Sequence, residues 1–429
     1  MPNEYIGLAF DIVAVAVFLF MLPLLDLKSK LFTSGLFGTG VIIHYAVGDS
    51  GIGLVEGITQ NMALLSILIL APLLSVPLRR EGMIDTVVSL LTDIKNNPRN
   101  TFYGISLFML TMAPILNMGA LRIVHGFIEG IKIPSKLLSR SYYVGFTPAV
   151  IWSPFFASVG IVIFYLDITY LSYFATGISF AIVQLVAGIL LFRPGKTTEV
   201  AAALEKEVRD REITTVKKTN IYILIGFVVL LVLLLIILEQ LLEKSMLLLV
   251  SVICIFVPLF WMLIRGNIKI GKEELSRYKS KMVSQKMEIC LFLSAGLFGN
   301  SISKTPIKQF LEQSIQWSAS QSIGILFLFI ILFVTLMAFV GVHQIIVVPL
   351  ILTSLNFAEL PNLAVSSVAF MCIFTWMLSS SISPLNALNI IISQCVKRNG
   401  VTVAFRWNGI YFGAVTSLAF LYVYVLNWL

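Results

Sequence analysis

Charge is what this chain lacks most. Only 12% of its 429 residues are Asp, Glu, Lys or Arg and 58% are hydrophobic, whereas soluble domains average about 25% charged and about 45–50% apolar residues. That imbalance excludes a water-soluble globule, and a mean hydropathy of +0.95 points the same way. Histidine and cysteine are sparse, with 3 and 4 copies. Cys254, Cys290, Cys372 and Cys395 fall in or at the ends of apolar runs, without metal-ligand spacing or a disulfide framework. A Walker loop is missing, so ATP drive within this chain is not expected. Paired carboxylates near the helix breaks, a Ser/Lys dyad and a His/Glu metal constellation are missing too, and the chain is not expected to be an enzyme. Met1-Pro-Asn-Glu-Tyr5 lacks the basic start of a cleavable signal peptide, so the first apolar run reads as a retained helix.

Repeated apolar runs of about 18–25 residues fill the chain instead, the length that crosses a hydrocarbon core of about 30 Å. Spans are expected at about 6–25, 31–47, 58–78, 141–165, 169–192, 220–239, 245–264, 287–303, 362–394 and 402–426. The formal charge of +8 does not imply nucleic acid, because 14 of the 30 Lys and Arg lie in two linkers, Arg193–Lys218 and Arg265–Lys286. Both linkers also carry acids, and neither interleaves aromatics with its bases. They read as cytoplasmic loops under the positive-inside rule. Placing both termini outside puts 25 basic residues on the inner face and leaves only Lys244, Lys304 and Lys308 outside. A multi-pass protein of the cell membrane is expected.

Two stretches are not simple spans. Residues 101–131 are apolar but flanked by basic clusters at both ends, and Pro114 and Gly119 interrupt the middle. Two arms of about 13 residues reach roughly 20 Å, past the midplane but not across, so a re-entrant hairpin opening inward is expected. Residues 321–357 repeat the pattern from the other face, broken at Gly341-Val-His343-Gln344. Segments 82–97 and 304–320 look amphipathic and suit the two interfaces. The chain thus reads as all-α, with about 10 transmembrane helices and two re-entrant hairpins. These form two inverted-topology repeats, 1–192 and 220–429, around a cytoplasmic linker at 193–219. Ser153-Pro154 and Ser383-Pro384 interrupt the helices at 141–165 and 362–394, at matching places in the two halves. A second echo, Gly35-Leu-Phe-Gly38 against Gly296-Leu-Phe-Gly299, pairs spans running in the same direction and reads as chance.

Irregular backbone at membrane depth survives only inside protein or beside a watery cavity, so the two tips and two Ser-Pro breaks mark the expected site. Half-helix N-termini there suit an anion, and freed carbonyls suit Na⁺. The candidates are Asn117, Gly119 and Arg122 at the first tip, and Gly341, His343 and Gln344 at the second. Ser153, Pro154, Ser381, Ser383, Pro384, Asn386 and Asn389 are the candidates at the breaks. Serine hydroxyls and Asn amides offer neutral donors and acceptors, although they also glue helices together. Arg122 fits a counter-ion for an anionic solute, or else it pairs with Glu129. His125 shares a helix face with Arg122 at i, i+3, His44 reads as structural, and Asp11 as a proton carrier or a hydrogen-bonding group in the bundle.

At these residues the chain resembles the ion transporter superfamily, which includes divalent anion–sodium symporters and the large membrane subunits of tripartite dicarboxylate transporters. Ser383-Pro384-Leu385-Asn386-Ala387 is similar to the substrate-neighbouring stretch of those symporters, and Ser153-Pro154 to a degenerate first copy. Asn117-Met-Gly119 and Gly341-Val-His343-Gln344 stand where the family has Ser-Asn-Thr. The resemblance implies an elevator-type secondary transporter for a small anionic solute, coupled to Na⁺ or H⁺, without other cofactors, and a homodimer within membrane lipid. A membrane subunit of a multi-component transporter, or an enzyme acting on a lipid-linked substrate, are the alternatives.

Overall fold

The computed structural model describes residues 4–48, 51–81, 98–128, 133–193, 219–265, 273–355 (except 275, 277, 279–281 and 283–284) and 363–428. The segment 82–97, Glu129 and the body of the 193–219 linker lie outside the described residues. Every regular element among those described is a helix. Seven stretches are long and apolar enough to cross a membrane: 135–166, 170–190, 222–242, 246–264, 323–340, 365–395 and 409–428. Shorter apolar helices fill 11–24, 65–78 and 344–353. The protein is an all-helical membrane protein.

Burial sorts the spans into inner and outer sets. Of the most apolar 18-residue windows, 78% is buried in 135–166 and 83% in 365–395, against 33% in 222–242, 246–264, 323–340 and 409–428. The two interrupted helices therefore form the centre. The outer helices show Leu230, Leu241, Phe256, Phe260 and Leu263 to the surroundings, a surface that only lipid or another apolar partner satisfies. Close approach in the centre depends on small residues. A Cβ on Gly145 would fall on the Ser106 carbonyl, and one on Gly188 would overlap Val144.

Two expected spans differ in kind. The 58–78 span is split: Gly51–Thr59 ends at Gln60, and Met62–Leu70 continues into a 3-10 turn, Ala71–Leu74, and Ser75–Arg80. The 402–426 span begins as a wide π-type turn, Thr402–Trp407, before Gly409–Trp428. Asn408 fills the join by donating to the Val403 carbonyl at 2.7 Å and to the Ser139 hydroxyl at 3.3 Å. The amphipathic segment expected at 304–320 is a helix, Pro306–Gln321, that buries Leu311, Ile315 and Ser318 along one side.

The helix-break-helix units also depart from expectation. Their first arms, Pro98–Leu116 and Ile323–Val340, have 19 and 18 residues, not about 13, and at 1.5 Å per residue reach about 27–28 Å. The second arms, Gly119–Ile128 and Gln344–Thr353, have 10 each. Pro114 does not end the first arm. It sits within the last turn, where a missing N–H costs one bond, and the chain turns at Asn117, which adopts φ 51°. Gly341 turns the second unit at φ 97°.

The Gly35 and Gly296 echo has no common structural use. A Cβ at Gly35 or Gly38 meets nothing, while one at Gly296 would meet the Gly57 carbonyl at 2.6 Å. On the polar surface, Arg80 donates to Glu273 at 2.8 Å and to the nearly buried Glu274 at 2.9 Å. Arg265 and Trp261 hold Glu81 in turn, at 2.7 and 2.9 Å. These pairs tie the Arg265–Lys286 linker to the end of the third span.

Candidate functional site

Ser-Pro ends a helix because proline lacks an N–H and disfavours helical backbone in the residue before it. Both interrupted helices obey this, and their breaks have the same form. Ser135–Trp152 stops at Ser153 (φ −73°, ψ 128°) and restarts after Phe156 (φ −95°, ψ 136°) as Ala157–Leu166. Val365–Ile382 stops at Ser383 (φ −72°, ψ 126°) and restarts after Asn386 (φ −93°, ψ 146°) as Ala387–Cys395. In each break the serine carbonyl accepts from the amide three residues on at 3.2 Å. Each serine hydroxyl also accepts from the amide two residues on at 3.3 Å. The hydroxyl hydrogens point outward from the helices to the first arms, Ser153 to the Pro114 carbonyl at 3.1 Å and Ser383 to the Ala338 carbonyl at 2.8 Å. Pro114 and Ala338 each lie three residues before the turn residue of their unit.

A helix that stops leaves carbonyls without partners. Here side chains take them. Tyr173 and Tyr170 donate to the carbonyls of Ile151 and Trp152 at 2.9 and 2.8 Å. At the matching positions Tyr143 donates to Ser381 at 2.9 Å and the Asn389 amide to Ile382 at 3.3 Å. The restarting half-helices are treated oppositely: neither Phe156 nor Asn386 caps them with its side chain. The breaks therefore present N–H groups and the positive ends of helix dipoles, while their carbonyl ends are already hydrogen-bonded.

The candidates fall into two groups by their partners. Ser381 donates to Met377 within its own helix, and Asn389 is fully engaged, donating to Ile382 and Gly400 and accepting from Ser393. Ser153 and Ser383 hold the breaks to the first arms, and Pro154 and Pro384 shape them. Asn117 closes its turn by accepting from the Met118 amide at 2.7 Å. His343 caps the second arm, its Nδ1 accepting from Ile345 at 3.2 Å, and its ring stands edge-on to Trp376. Gln344 and Asn386 differ. Fully buried Gln344 donates to Ser379 at 2.8 Å, but its Oε1 has no partner. The Asn386 side chain, 5% exposed, makes no hydrogen bond among the described residues. Gly341 and Leu385 touch in the sense that a Cβ on the glycine would lie 3.7 Å from the Leu385 Cδ1, so the second tip abuts the second break.

At the first tip Gly119 faces open space and Arg122 is exposed, within electrostatic range of Glu288. His125 meets the Tyr142 hydroxyl at 3.1 Å. His44 is fully buried and Asp11 is half-buried. Reading the sequence missed the tyrosines that serve the breaks. It also missed a buried cluster in which Gln184 donates to Thr147 at 2.8 Å and Thr147 meets the Tyr411 hydroxyl at 3.0 Å. Tyrosines spaced through apolar spans were the available signal, since a buried phenol needs a partner. Glu239 was missed as well. Its carboxylate accepts from the amides of Tyr170 and Leu171 at 2.9 and 3.3 Å and anchors the start of Tyr170–Leu190.

No family model matches the chain, and no curated protein matches it. Among solved structures it is similar to the crystal structure of the Alcanivorax borkumensis YdaH transporter, described as having an unusual topology. The identity is 12% and the TM-score 0.42, over 96% of this chain and 98% of that one.

Proposed function

We propose that this chain is a secondary active transporter that moves a small anionic solute across the membrane, coupled to Na⁺ or H⁺. One observation carries the anionic solute: the two breaks direct uncapped helix N-termini into the protein centre while their carbonyl ends are occupied. Uncapped N-termini in a low-dielectric interior favour an anion. Asn386, whose amide can donate, is the assigned solute contact beside them, and the free Gln344 Oε1, an acceptor, is assigned to the coupling cation.

The proposed architecture is two inverted-topology repeats, 1–192 and 220–429, in which 98–128 and 323–353 are hairpins whose 10-residue second arms, about 15 Å long, stop at mid-depth. The matched breaks support it, and so does the packing between the halves. Ala157–Leu166 packs on Gln344–Thr353, and Ala387–Cys395 packs on Gly119–Ile128. Each second half-helix rests on the hairpin of the other half, as a two-fold exchange requires. Hairpins and interrupted helices would then move as one unit against a scaffold that includes Leu27–Ala46 and Met246–Ile264, through which a homodimer forms.

Thermal stabilisation of the purified protein by small carboxylates and oxyanions, each with Na⁺, with K⁺ and across pH, tests the reading. A shift with one anion class that needs Na⁺ or low pH, and that Asn386→Ala and Gln344→Ala abolish, is the expected result. A flat response from folded protein would overturn the anion site in this chain and point to a required partner subunit.

A further inference from the structure

A cavity of about 180 Å³, whose lining includes no residue of either break, lies where the split third span meets the second arm of the second hairpin. Its lining combines the polar Gln60, Asn61, Tyr165 and Lys308 with the apolar Ile345 and Leu350. The span is split at this point, between Thr59 and Met62, and Asn61 uses its amide to hold the join, donating to the Phe292 carbonyl at 3.2 Å. Gln60 donates to the Tyr165 hydroxyl oxygen at 3.1 Å, which leaves the Tyr165 hydrogen free to donate. Lys308 is the cation of the cavity, held only loosely by Glu312 at 3.6 Å on the same half-exposed helix face, an arrangement worth little in water.

We infer that this cavity is a second binding site, distinct from the breaks, for a small organic monoanion with a short apolar body. The carboxylate accepts from Lys308 and from the free Tyr165 hydroxyl, and the apolar part lies against Ile345, Ile346 and Leu350. The volume sets the size, since drug-sized ligands occupy pockets of about 300–1,000 Å³. Residues 296–302 lie on a helix packed with Leu27–Ala46, and Gln60 and Asn61 join helices packed on it. Tyr165, 345–353 and the Lys308 helix, which packs on Ile323–Val340, belong with the interrupted helices and hairpins, so the cavity lies between the two sets. That the two sets move past one another rests on the transport reading; the binding does not.

Titrating the purified full-length protein with benzoate, and with benzamide as a neutral match, tests the site by calorimetry and thermal shift. Saturable benzoate binding with no benzamide response is expected. Lys308→Gln and Tyr165→Phe are expected to weaken benzoate by about tenfold each, the scale of one charge-assisted bond. Gly299→Phe is the steric control: Gly299 lines the cavity, and a Cβ there meets nothing within 4 Å, so the bulky side chain starts from open space. It is expected to abolish benzoate binding at unchanged or raised Tm. Benzoate binding here is expected to be independent of Na⁺, which separates this site from the coupled one at the breaks. Absence of benzoate binding to folded protein, or binding that survives Gly299→Phe, overturns the inference.

Discussion

Ser153→Ala and Ser383→Ala remove the same two hydrogen bonds from breaks of the same form, yet they should not cost the same. Among the described residues Ser153 is the partner of the Pro114 carbonyl and of the Phe155 amide, and Pro114 and Phe155 are buried. Its loss leaves two buried polar groups unmet at about 1–3 kcal/mol each, and about 2–4 kcal/mol in all after partial relaxation. At the second break the Ala338 carbonyl keeps the Gly341 amide at 3.3 Å, and Leu385 is 57% exposed, so water can reach the amide that Ser383 served. About 1–2 kcal/mol is expected there. Unfolding free energies from SDS titration in mixed micelles, followed by far-UV circular dichroism, measure both. In a domain of 150–250 residues the larger loss would lower Tm by roughly 4–16 °C, and in a chain of 429 residues by less. A Ser153→Ala protein within about 0.5 kcal/mol of wild type, the usual range for inert surface changes, would refute the reasoning. So would a larger loss at Ser383.

Gly145→Ala should destabilise although alanine is the better helix former: propensity gains about 1 kcal/mol, but a methyl on the Ser106 carbonyl costs about 1–3 kcal/mol or more, and a rise in unfolding free energy would show the contact to be slack. Glu274→Gln should cost about 1.5–3 kcal/mol and Glu273→Gln about 0–1 kcal/mol, because their side chains are 4% and 63% exposed; equal losses in the same titration would contradict that ranking. Glu239→Leu should cost at least about 2 kcal/mol by stranding the Tyr170 and Leu171 amides, and Glu239→Gln, which keeps one acceptor, should recover part of it. If Glu239→Leu is neutral, water serves those amides instead.

The membrane class and most helix positions were legible because apolar runs and their punctuation report lipid directly. Ser153-Pro154 and Ser383-Pro384 were legible as breaks because proline acts through its own covalent geometry, whatever surrounds it. Pro114 shows the limit of that rule. In the last turn its missing N–H costs one hydrogen bond without ending the helix, so the turn waits for Asn117, a residue type that tolerates left-handed backbone. The roles of Asn389 and Ser381 were open for another reason. Whether an amide or hydroxyl is spent within the fold depends on Gly400, Ser393 and Met377, and Gly400, 11 residues from Asn389, stands outside helical spacing. Gln344 was picked for its place at the second tip and Asn386 for its place in the break, but nothing local says that Gln344 keeps a free acceptor while Asn389 does not. The tyrosines serving the breaks lie 18 and 22 residues away for Tyr170 and Tyr173, and 238 away for Tyr143. Pairings at that range follow from tertiary packing.

The movement of one helix set past the other is tested most directly by locking them together. Gln60 and Tyr165 face each other across the join, their polar atoms 3.1 Å apart. A Gln60→Cys/Tyr165→Cys protein, in a background with Cys395 replaced, can be bridged by a short bismaleimide and assayed for solute uptake in proteoliposomes. The two single-cysteine proteins, treated alike, serve as controls. Loss of uptake in the bridged protein alone, with Tm unchanged or raised, is the expected result. Uptake at the control rate by fully bridged protein would contradict the account.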